Sequence, residues 1–320
     1  MSVLVLIDHD KGEVTEVARQ AVTLGRSLAD DLGTALSAVV IGEGGKVVQV
    51  GSVIDLLWRA GHPLLTDYAP GGWGETLVQL VAQEMPAAVV APGTDRGNEV
   101  LAHLAALADL PMAANVAEVD TAEDVWHVVR LRWGGSLLEH AELSAAVRLL
   151  SAAPYAFPPA SVEGEPPTVK EFEPSLDESH AVTRVVDRTT VDEGITLATA
   201  PLVVSGGRGV GGPDGFGPLE ELAGLLGGAV GCSRVVTNNG WRPHSDQVGQ
   251  TGTRVAPDVY IACGISGAIQ HWVGMMASKN VIAINTDPEA PMVTKADYAL
   301  IGDVGEVVPT LVDEIRRRRS

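Results

Sequence analysis

Apolar runs alternate with helical patterns from the first residues of the chain. A continuous apolar run at 3–7 ends in Asp8-His9-Asp10, which predicts a buried strand followed by a polar loop. Apolar residues then recur at helical spacing over 14–32 until Gly33, and a second apolar run covers 35–41. Strands and helices that alternate with short turns predict a parallel sheet with right-handed crossovers.

The same alternation continues through the first half of the chain. The elements predicted there are a helix over 77–84, a strand over 87–91, a helix through Leu107, and added edge strands, antiparallel in direction, over 125–131 and 137–142. The loop at 93–98 follows a strand, where α/β sheets place ligands, but a structural turn is the favoured interpretation of it.

The composition changes between about 155 and 190, where prolines and acidic residues become frequent. Prolines cannot donate to a strand ladder and acids lower the hydrophobicity, so this stretch is predicted to be exposed and extended. We therefore predict two domains, an N-terminal one over 1–189, whose last part (155–189) is a connector, and a C-terminal one over 190–320.

A second α/β pattern fills the C-terminal domain. The predicted elements are strands over 202–204, 229–232, 259–262, 281–285 and 298–301, and helices over 219–226, 266–276 and 304–315. In the 266–276 helix, an apolar stripe of Ile269, Trp272, Val273 and Met276 is predicted to face the core. His271 lies on a neighbouring face and is predicted to be near a cleft above the strand ends.

Composition narrows the class of protein. The chain of 320 residues is 46% hydrophobic and 4% aromatic, which is typical of the α/β fold class. Its net charge of −19 argues against nucleic acid and anionic membranes as partners, and the basic run 316–319 is interpreted as a solvated helix end. The two cysteines form neither a zinc motif nor a disulfide framework. With no signal-like start and no long apolar segment, the sequence predicts a cytoplasmic protein without a metal site.

Glycine-rich turns follow several strands of the C-terminal domain. Glycines at 206–209 can bring the backbone close to a phosphate, but the spacing is not GxGxxG, and a ligand turn and a structural turn remain equally good interpretations. The segments 247–252 and 264–271 place small residues beside hydroxyl, amide and imidazole groups, which suits a large polar cofactor. Polar residues gather at or just beyond the strand ends: Arg208, Ser233, Arg234, Gln250, Thr251, Ser266, Gln270, His271, Asn285 and Asp303.

These motifs closely resemble the α subunit of electron-transfer flavoprotein. The resemblance depends on the runs 203–209, 240–241, 247–252, 260–271 and 274–275, and it extends through 283–285 and 296–298 to 302–303. It covers nearly all of the last 120 or so residues, and long ungapped motifs are more specific than a single glycine turn.

The resemblance implies a Rossmann-like C-terminal domain that binds one FAD. The residues it would place around FAD are Arg208, Ser233, Arg234, Val248, Gly249, Gln250, Thr251, Ser266, Gly267, Ala268, Ile269, Gln270, His271, Asn285, Asp303 and Val304. Arg234, Thr251 and His271 would tune the redox properties of the ring: a cation and an imidazole stabilise negative charge on a reduced flavin. His271 would also make the potential depend on pH.

The resemblance also implies partners. The N-terminal domain would pack on a β subunit that carries AMP or a second FAD, and the heterodimer would carry electrons from flavin-dependent dehydrogenases, such as acyl-CoA dehydrogenases, to a membrane quinone oxidoreductase. It would be an electron carrier rather than an enzyme. The alternatives are an electron-bifurcating form, an NAD(H)-dependent oxidoreductase that uses the same crevice, and a bare adenine-nucleotide module.

Parts of the chain depart from the family pattern. Arg96-Gly97-Asn98 stands where the family is expected to have Gly-Arg-Asp, the segment 54–75 has no counterpart that we can place, and Asn238-Asn239 stands where an acid is usual. The departures in the first half affect the choice of partner and leave the expected flavin site unchanged.

Overall fold

The computed structural model of the chain describes residues 2–10, 12–42, 51–161, 163–185 and 195–319, and it divides into two compact units. Unit 1 is Met1–Thr189 and unit 2 is Thr190–Ser320. Both units are α/β with mainly parallel sheets flanked by helices, which confirms the predicted fold class.

Unit 1 is built on a nine-stranded sheet with a small two-stranded ribbon beside it. The strands are β1 (Ser2–Ile7), β2 (His9–Asp10), β3 (Glu13–Val14), β4 (Ala35–Ile41), β5 (Leu56–Ala60), β6 (Ala88–Pro92), β7 (Met112–Asp120), β8 (Trp126–Arg132), β9 (Leu137–Leu143), β10 (Arg148–Ala152) and β11 (Thr168–Phe172). The order in the large sheet is β11-β5-β4-β1-β6-β10-β7-β8-β9. Among the described strands of the large sheet, β7-β8 and β8-β9 are the pairs that run antiparallel, so the added edge strands over 125–131 and 137–142 are confirmed.

Three long helices cover this sheet: α1 (Glu16–Asp31), α2 (Pro70–Glu84) and α3 (Asp95–Ala108). Side chains of β1 alternate between two apolar cores, with Val3, Val5 and Ile7 in one and Leu4 and Leu6 in the other. A central parallel strand buried on both faces needs apolar residues at every position, which is why 3–7 is an uninterrupted apolar run.

Three features of unit 1 differ from the sequence prediction. Helix α2 begins at Pro70 rather than 77, because proline suits the first helical turn while the glycines at 71, 72 and 74 weaken the apolar signal. The segment 54–75 also supplies β5. Part of the predicted connector is a strand: β11 pairs parallel with β5, although four of its five residues are exposed. The residues 186–194 around the predicted boundary lie outside the described part of the chain.

Unit 2 contains a fully parallel five-stranded sheet. Its strands are β12 (Leu202–Gly206), β13 (Ala229–Cys232), β14 (Val259–Cys263), β15 (Val281–Asn285) and β16 (Tyr298–Ile301), in the order β13-β12-β14-β15-β16. Its helices are α4 (Gly217–Leu226), α5 (Arg234–Asn238), α6 (Ile269–Met275), α7 (Pro291–Lys295) and α8 (Val304–Arg319). All five parallel strands end at one edge, which is where ligands bind in such sheets.

The predicted apolar stripe of α6 is half right: Val273 is buried and Trp272 packs against the core. Ile269 is 61% exposed and Met276 is 51% exposed, whereas His271 and Met275, on the other face, are buried. The helix also begins three residues later than predicted, because 266–268 forms a non-helical segment that hydrogen-bonds to the start of α7. Packing against Tyr260 of β14 favours the His271 face, since it satisfies two buried polar groups at once.

The last helix is longer than predicted and includes the basic run. Arg316 pairs with Glu221, and Arg317 and Arg318 both pair with Glu314 at the exposed end of α8. None of the helices in the described ranges has the length and apolar character needed to span a membrane.

Candidate functional site

A cleft of about 530 Å³ lies in unit 2, at the carboxyl ends of β12, β13, β14 and β15. This volume is in the range of sites for small molecules and cofactors. Thirteen of the residues predicted from the sequence line it: Arg208, Ser233, Arg234, Val248, Gly249, Gln250, Thr251, Ser266, Gly267, Ala268, Gln270, His271 and Asn285. Segments far apart in sequence therefore meet in one concave surface.

Three residues of the predicted set lie elsewhere. Ile269 begins α6, does not line the cleft, and has 61% of its surface exposed. Asp303 follows β16, and its Oδ1 accepts a hydrogen bond from the Gly305 N–H at 2.7 Å. Val304 begins α8 and is buried in the apolar core of unit 2. Neither Asp303 nor Val304 lines the cleft, so a role for them in holding an adenosine stays a prediction.

Other residues line the cleft that sequence reasoning did not single out: Gly209, Val235, Asn238, Gln247, Gly264, Ile265, Asp287 and Ala290. Several of these stood inside motifs that the sequence did mark, Gln247 and Gly264 among them, but were treated as framework. Nothing in the sequence around Asp287 distinguishes it from an ordinary turn acid.

At the floor of the cleft, the backbone of the loop after β12 packs directly against the backbone of the loop after β14. Gly264 has a φ of +64°, and a Cβ added there would lie 2.6 Å from the Cα of Gly209. The N–H of Gly209 donates to the carbonyl of Gly264 at 3.0 Å, which ties the loop after β12 to the loop after β14. Only glycine allows both the left-handed conformation and this close approach.

A second close contact joins the segment 248–252 to α6. A Cβ at Gly274 would lie 2.3 Å from the Cα of Gly249, and the N–H of Gln250 donates to the carbonyl of Gln270 at 2.7 Å. This contact holds the loop that carries Thr251 against the helix that carries His271. The two loops therefore form one wall of the cleft.

The cleft presents hydrogen-bond donors that the protein itself leaves without acceptors. The guanidinium groups of Arg208 and Arg234 are exposed and have no ion-pair partner among the described residues. Backbone N–H groups at 266–268 likewise donate to no other described residue. In a chain of net charge −19, two unpaired cations beside free N–H groups favour an anionic ligand.

His271 is buried and held by Tyr260. Its Nε2 lies 2.9 Å from the Tyr260 hydroxyl, and its buried Nδ1 makes no hydrogen bond of good geometry in the described part of the chain, although the Val248 backbone lies beside the ring. Burial lowers the pKa of His271 from 6.5 to about 4, and the nearby Val248 carbonyl opposes this shift only in part. Burial also raises the pKa of Tyr260, so the hydroxyl keeps its proton.

This geometry bears on the tautomer of His271. The Tyr260 hydroxyl lies beside both the Nε2 of His271 and the Ser205 hydroxyl; a Tyr260 proton given to Nε2 puts the imidazole proton on Nδ1, and this is the tautomer that we expect. Burial therefore favours the neutral imidazole in this chain by itself. The expectation that His271 makes the potential of a bound flavin depend on pH stays a prediction.

Gln247 and Asn285 connect the loops around the cleft. The Gln247 side chain lies between Thr237 of α5 and Thr251, at 2.7 and 3.0 Å from their hydroxyl oxygens. Asn285 donates from Nδ2 to the Ile265 carbonyl at 3.0 Å, and its Oδ1 accepts from the Asp287 N–H at 3.1 Å. Both ends of the Asn285 amide are thus used within the protein.

The donor set fits FAD. Unpaired guanidinium and backbone N–H groups suit a pyrophosphate, while the Thr251 hydroxyl, the Gln250 side chain and the buried imidazole suit the hydrogen-bonding edge of a flavin ring. No group of three or more His, Cys, Asp and Glu side chains within the described ranges is arranged to hold a metal ion.

Unit 1 also has a polar cluster at the carboxyl ends of its parallel strands, but the members of that cluster are paired with one another. Arg96 donates to the Asp8 carboxylate at 2.9 Å and lies over the ring of Tyr68 at 4.9 Å. The Thr94 side chain caps α3 by accepting from the Gly97 N–H at 3.0 Å. The contacts of 93–98 are those of a structural turn.

Two family models match the chain, one within each unit. The family model described as the electron transfer flavoprotein domain matches residues 3–177, and the one described as the electron transfer flavoprotein FAD-binding domain matches residues 196–276. The second match contains most of the residues that line the cleft and ends before Asn285.

Curated relatives match over nearly the whole length. The electron transfer flavoprotein subunit alpha of Thermoanaerobacterium thermosaccharolyticum is 32% identical over 98% of this chain and 97% of the relative. The subunit of the same name from Bacillus subtilis is 33% identical over 98% of this chain and 97% of the relative. Protein FixB of Clostridium saccharobutylicum is 33% identical over 98% of this chain and 96% of the relative.

Proposed function

Because this chain belongs to the family of electron transfer flavoprotein α subunits, we propose that it binds one FAD in the cleft of unit 2 and works as an electron carrier together with a β subunit. The heterodimer receives electrons from flavin-dependent dehydrogenases, such as acyl-CoA dehydrogenases, and passes them toward a membrane quinone oxidoreductase. It transforms no substrate of its own.

The observation that carries this proposal is the set of unsatisfied donors around one cleft. Arg208, Arg234 and the N–H groups at 266–268 point to an anionic ligand, and the Thr251 hydroxyl adds a group that can hydrogen-bond to a heteroaromatic ring. Fold stability does not explain why these groups gather at one cleft, because exposed polar groups without protein partners contribute little to it.

When bound, FAD supplies a ring that takes up and releases electrons. The chain's own residues bind and orient that ring and set its electrostatic surroundings. The guanidinium group of Arg234 stabilises negative charge near it. His271 lies in the wall of the cleft as a neutral imidazole, with Tyr260 fixing the direction of its ring.

The test is to coexpress the chain with a β-subunit gene, purify the complex, and measure its visible absorption and its FAD content. We expect one FAD per complex in this chain and bleaching of the flavin absorbance when a reduced acyl-CoA dehydrogenase is added under anaerobic conditions. A flavin-free complex that is correctly assembled would contradict the proposal.

The same preparation distinguishes the alternatives. A second FAD that stays with the β subunit would point to the electron-bifurcating form, whereas AMP in that subunit would favour the simple carrier. Direct reduction of the bound flavin by NADH in the isolated chain would instead favour a nicotinamide-dependent oxidoreductase.

A further inference from the structure

The Gln247 side chain is a buried amide placed between two hydroxyl groups. Only 2% of its surface is exposed. Its Oε1 lies 2.7 Å from the Thr237 hydroxyl of α5, and its Nε2 lies 3.0 Å from the Thr251 hydroxyl at the cleft. Thr251 is exposed on the cleft side, so its hydroxyl touches both the amide and any ligand that fills the cleft.

In the orientation that the structure shows, Thr251 is a donor toward the cleft. The Gln247 Nε2–H donates to the Thr251 oxygen, so the hydroxyl proton of Thr251 is free to point at a ligand. At the other end, Thr237 gives its proton to Gln247 Oε1. Each of these groups then has a partner of the opposite kind.

A reversed amide satisfies the same groups equally well. The Thr237 hydroxyl also lies 3.0 Å from the carbonyl oxygen of Arg234 and can donate there, which leaves its oxygen to accept from Gln247 Nε2. Gln247 Oε1 then accepts the proton of Thr251, and the Thr251 oxygen becomes an acceptor toward the cleft. The two ends of an amide have nearly the same shape, so the reversal requires no repacking.

A flavin ring needs a partner of this kind, because ring nitrogens that are bare acceptors in the oxidised form carry hydrogen in the reduced form. Resting on the proposed function, we propose that Gln247 is a positioning residue for Thr251 and that reversal of its amide lets the Thr251 hydroxyl donate to a ring nitrogen or accept from a ring N–H. Once a ring covers Thr251 and excludes water, Gln247 is the group that takes or supplies the second hydrogen bond.

The experiment loads the complex of this chain and its β subunit with FAD that is ¹⁵N-labelled in the ring, and records the nitrogen resonances in the oxidised and dithionite-reduced forms. Thr251→Val identifies the ring nitrogen that Thr251 faces, since that resonance moves in both forms. We expect Gln247→Met to produce at least half of the same displacement in both forms. Gln20→Met is the control: Gln20 is also 2% exposed, it lies in unit 1, and its Oε1 accepts from the Tyr155 N–H at 2.8 Å.

The outcomes separate the possible failures. A wild-type complex without flavin contradicts the proposed function, not this inference. With flavin bound, a displacement in Gln247→Met that is confined to the oxidised form overturns the reversal, and no displacement in either form overturns the positioning role. If Gln247→Met does not fold, neutron diffraction from deuterated wild-type crystals in both forms decides the matter: an amide with Nε2 facing Thr251 in one form and Oε1 in the other is expected, and an unchanged amide overturns the proposal.

Discussion

The sheets of unit 1 and unit 2 both end in polar side chains at the carboxyl edge of their parallel strands, but the partners of those side chains differ. In unit 1, Arg96 pairs with Asp8, and Ser151 donates to Asn98 Oδ1 at 2.6 Å. In unit 2, Arg208 and Arg234 face an open cleft without ion-pair partners among the described residues. At the carboxyl ends of the parallel strands, the polar side chains pair with one another in unit 1, whereas in unit 2 they include donors without a protein partner.

This difference teaches how to interpret polar residues at strand ends. Position alone marks a place where a ligand can bind. Whether one does bind depends on which hydrogen bonds and charges the protein already satisfies, because a satisfied group gains little from a ligand. Arg96 illustrates the paired case and Arg234 the unpaired one.

The largest expected effect is at the backbone contact that shapes the cleft. Gly264→Ala places a Cβ 2.6 Å from the Cα of Gly209 at a residue whose φ is +64°. Left-handed strain and overpacking together are expected to destabilise unit 2 by about 4 kcal/mol. Hydrogen exchange read by mass spectrometry will show faster exchange in unit 2 and unchanged exchange in the core of unit 1.

Gly224→Ala is the matched control, since Gly224 lies within α4 and an added Cβ meets no atom within 4 Å. Alanine is the better helix former by about 1 kcal/mol, so this change is expected to stabilise unit 2 slightly. Equal effects of the two substitutions would show that the contact between Gly264 and Gly209 is not tight in solution.

The next effect is a pH dependence that belongs to unit 2. Because the folded pKa of His271 is about 4 and its ordinary value is 6.5, the unfolded chain binds a proton between these pH values that the folded chain does not. Stability is therefore fully present above about pH 6.5 and falls as the pH is lowered toward 4, by up to about 3 kcal/mol. Urea unfolding from pH 7 to 4.5 measures this slope.

His271→Gln is expected to remove that part of the slope, because glutamine does not titrate but can still accept from Tyr260. His244→Gln provides the control, since His244 is exposed in the same unit. The tautomer assignment has a separate readout: ¹⁵N NMR of the imidazole should show the proton on Nδ1, and a proton on Nε2 would contradict the donor role of Tyr260.

A pair of arginine substitutions makes the comparison direct. Arg96→Ala leaves the Asp8 carboxylate, whose side chain is only 9% exposed, without its cation and is expected to destabilise unit 1 by about 2 kcal/mol. Arg234→Ala is expected to change the free energy of unfolding by less than about 0.5 kcal/mol and to weaken FAD binding by about 10- to 100-fold. Urea unfolding measures the change in stability, and FAD titration measures the change in binding. The contrast between a paired Arg96 and an unpaired Arg234 is contradicted if Arg96→Ala leaves the stability unchanged or if Arg234→Ala destabilises unit 2.

The sequence predicts several buried parallel strands of both sheets, because such a strand is apolar at nearly every position, but it does not single out β5 and β10, which are also largely buried. The runs at 3–7 and 259–262 illustrate this, as each alternates between two cores and ends at a polar or glycine residue. By contrast, β11 has no such signal: four of its five residues are exposed, and it is a strand only because β5 offers an open edge. Pairing at a distance is not encoded in local periodicity.

At the candidate site, the sequence identifies the segments better than the individual contacts. The motifs at 247–252 and 264–271 mark the right loops because their glycines are needed for backbone contact. The orientation of α6 could not be predicted, since periodicity allows either the Ile269 face or the His271 face to be buried. Tyr260 decides between them, and that contact exists only in the folded sheet.

The smallest expected effect compares two serines that are both fully buried in parallel strands. The Ser151 hydroxyl of β10 donates to Asn98 Oδ1 and accepts from the Asn115 N–H at 2.8 Å, so Ser151→Ala leaves two groups unsatisfied and is expected to cost about 1–2 kcal/mol. The Ser205 hydroxyl of β12 lies beside the Tyr260 hydroxyl but makes no hydrogen bond of good geometry in the described part of the chain, so Ser205→Ala removes a weakly held group and is expected to change stability by less than about 0.5 kcal/mol. Urea unfolding of the two variants measures the difference. If Ser205→Ala lowers the free energy of unfolding as much as Ser151→Ala does, the Ser205 hydroxyl is hydrogen-bonded in solution. Unit 2 would then resemble the paired network of unit 1 more closely.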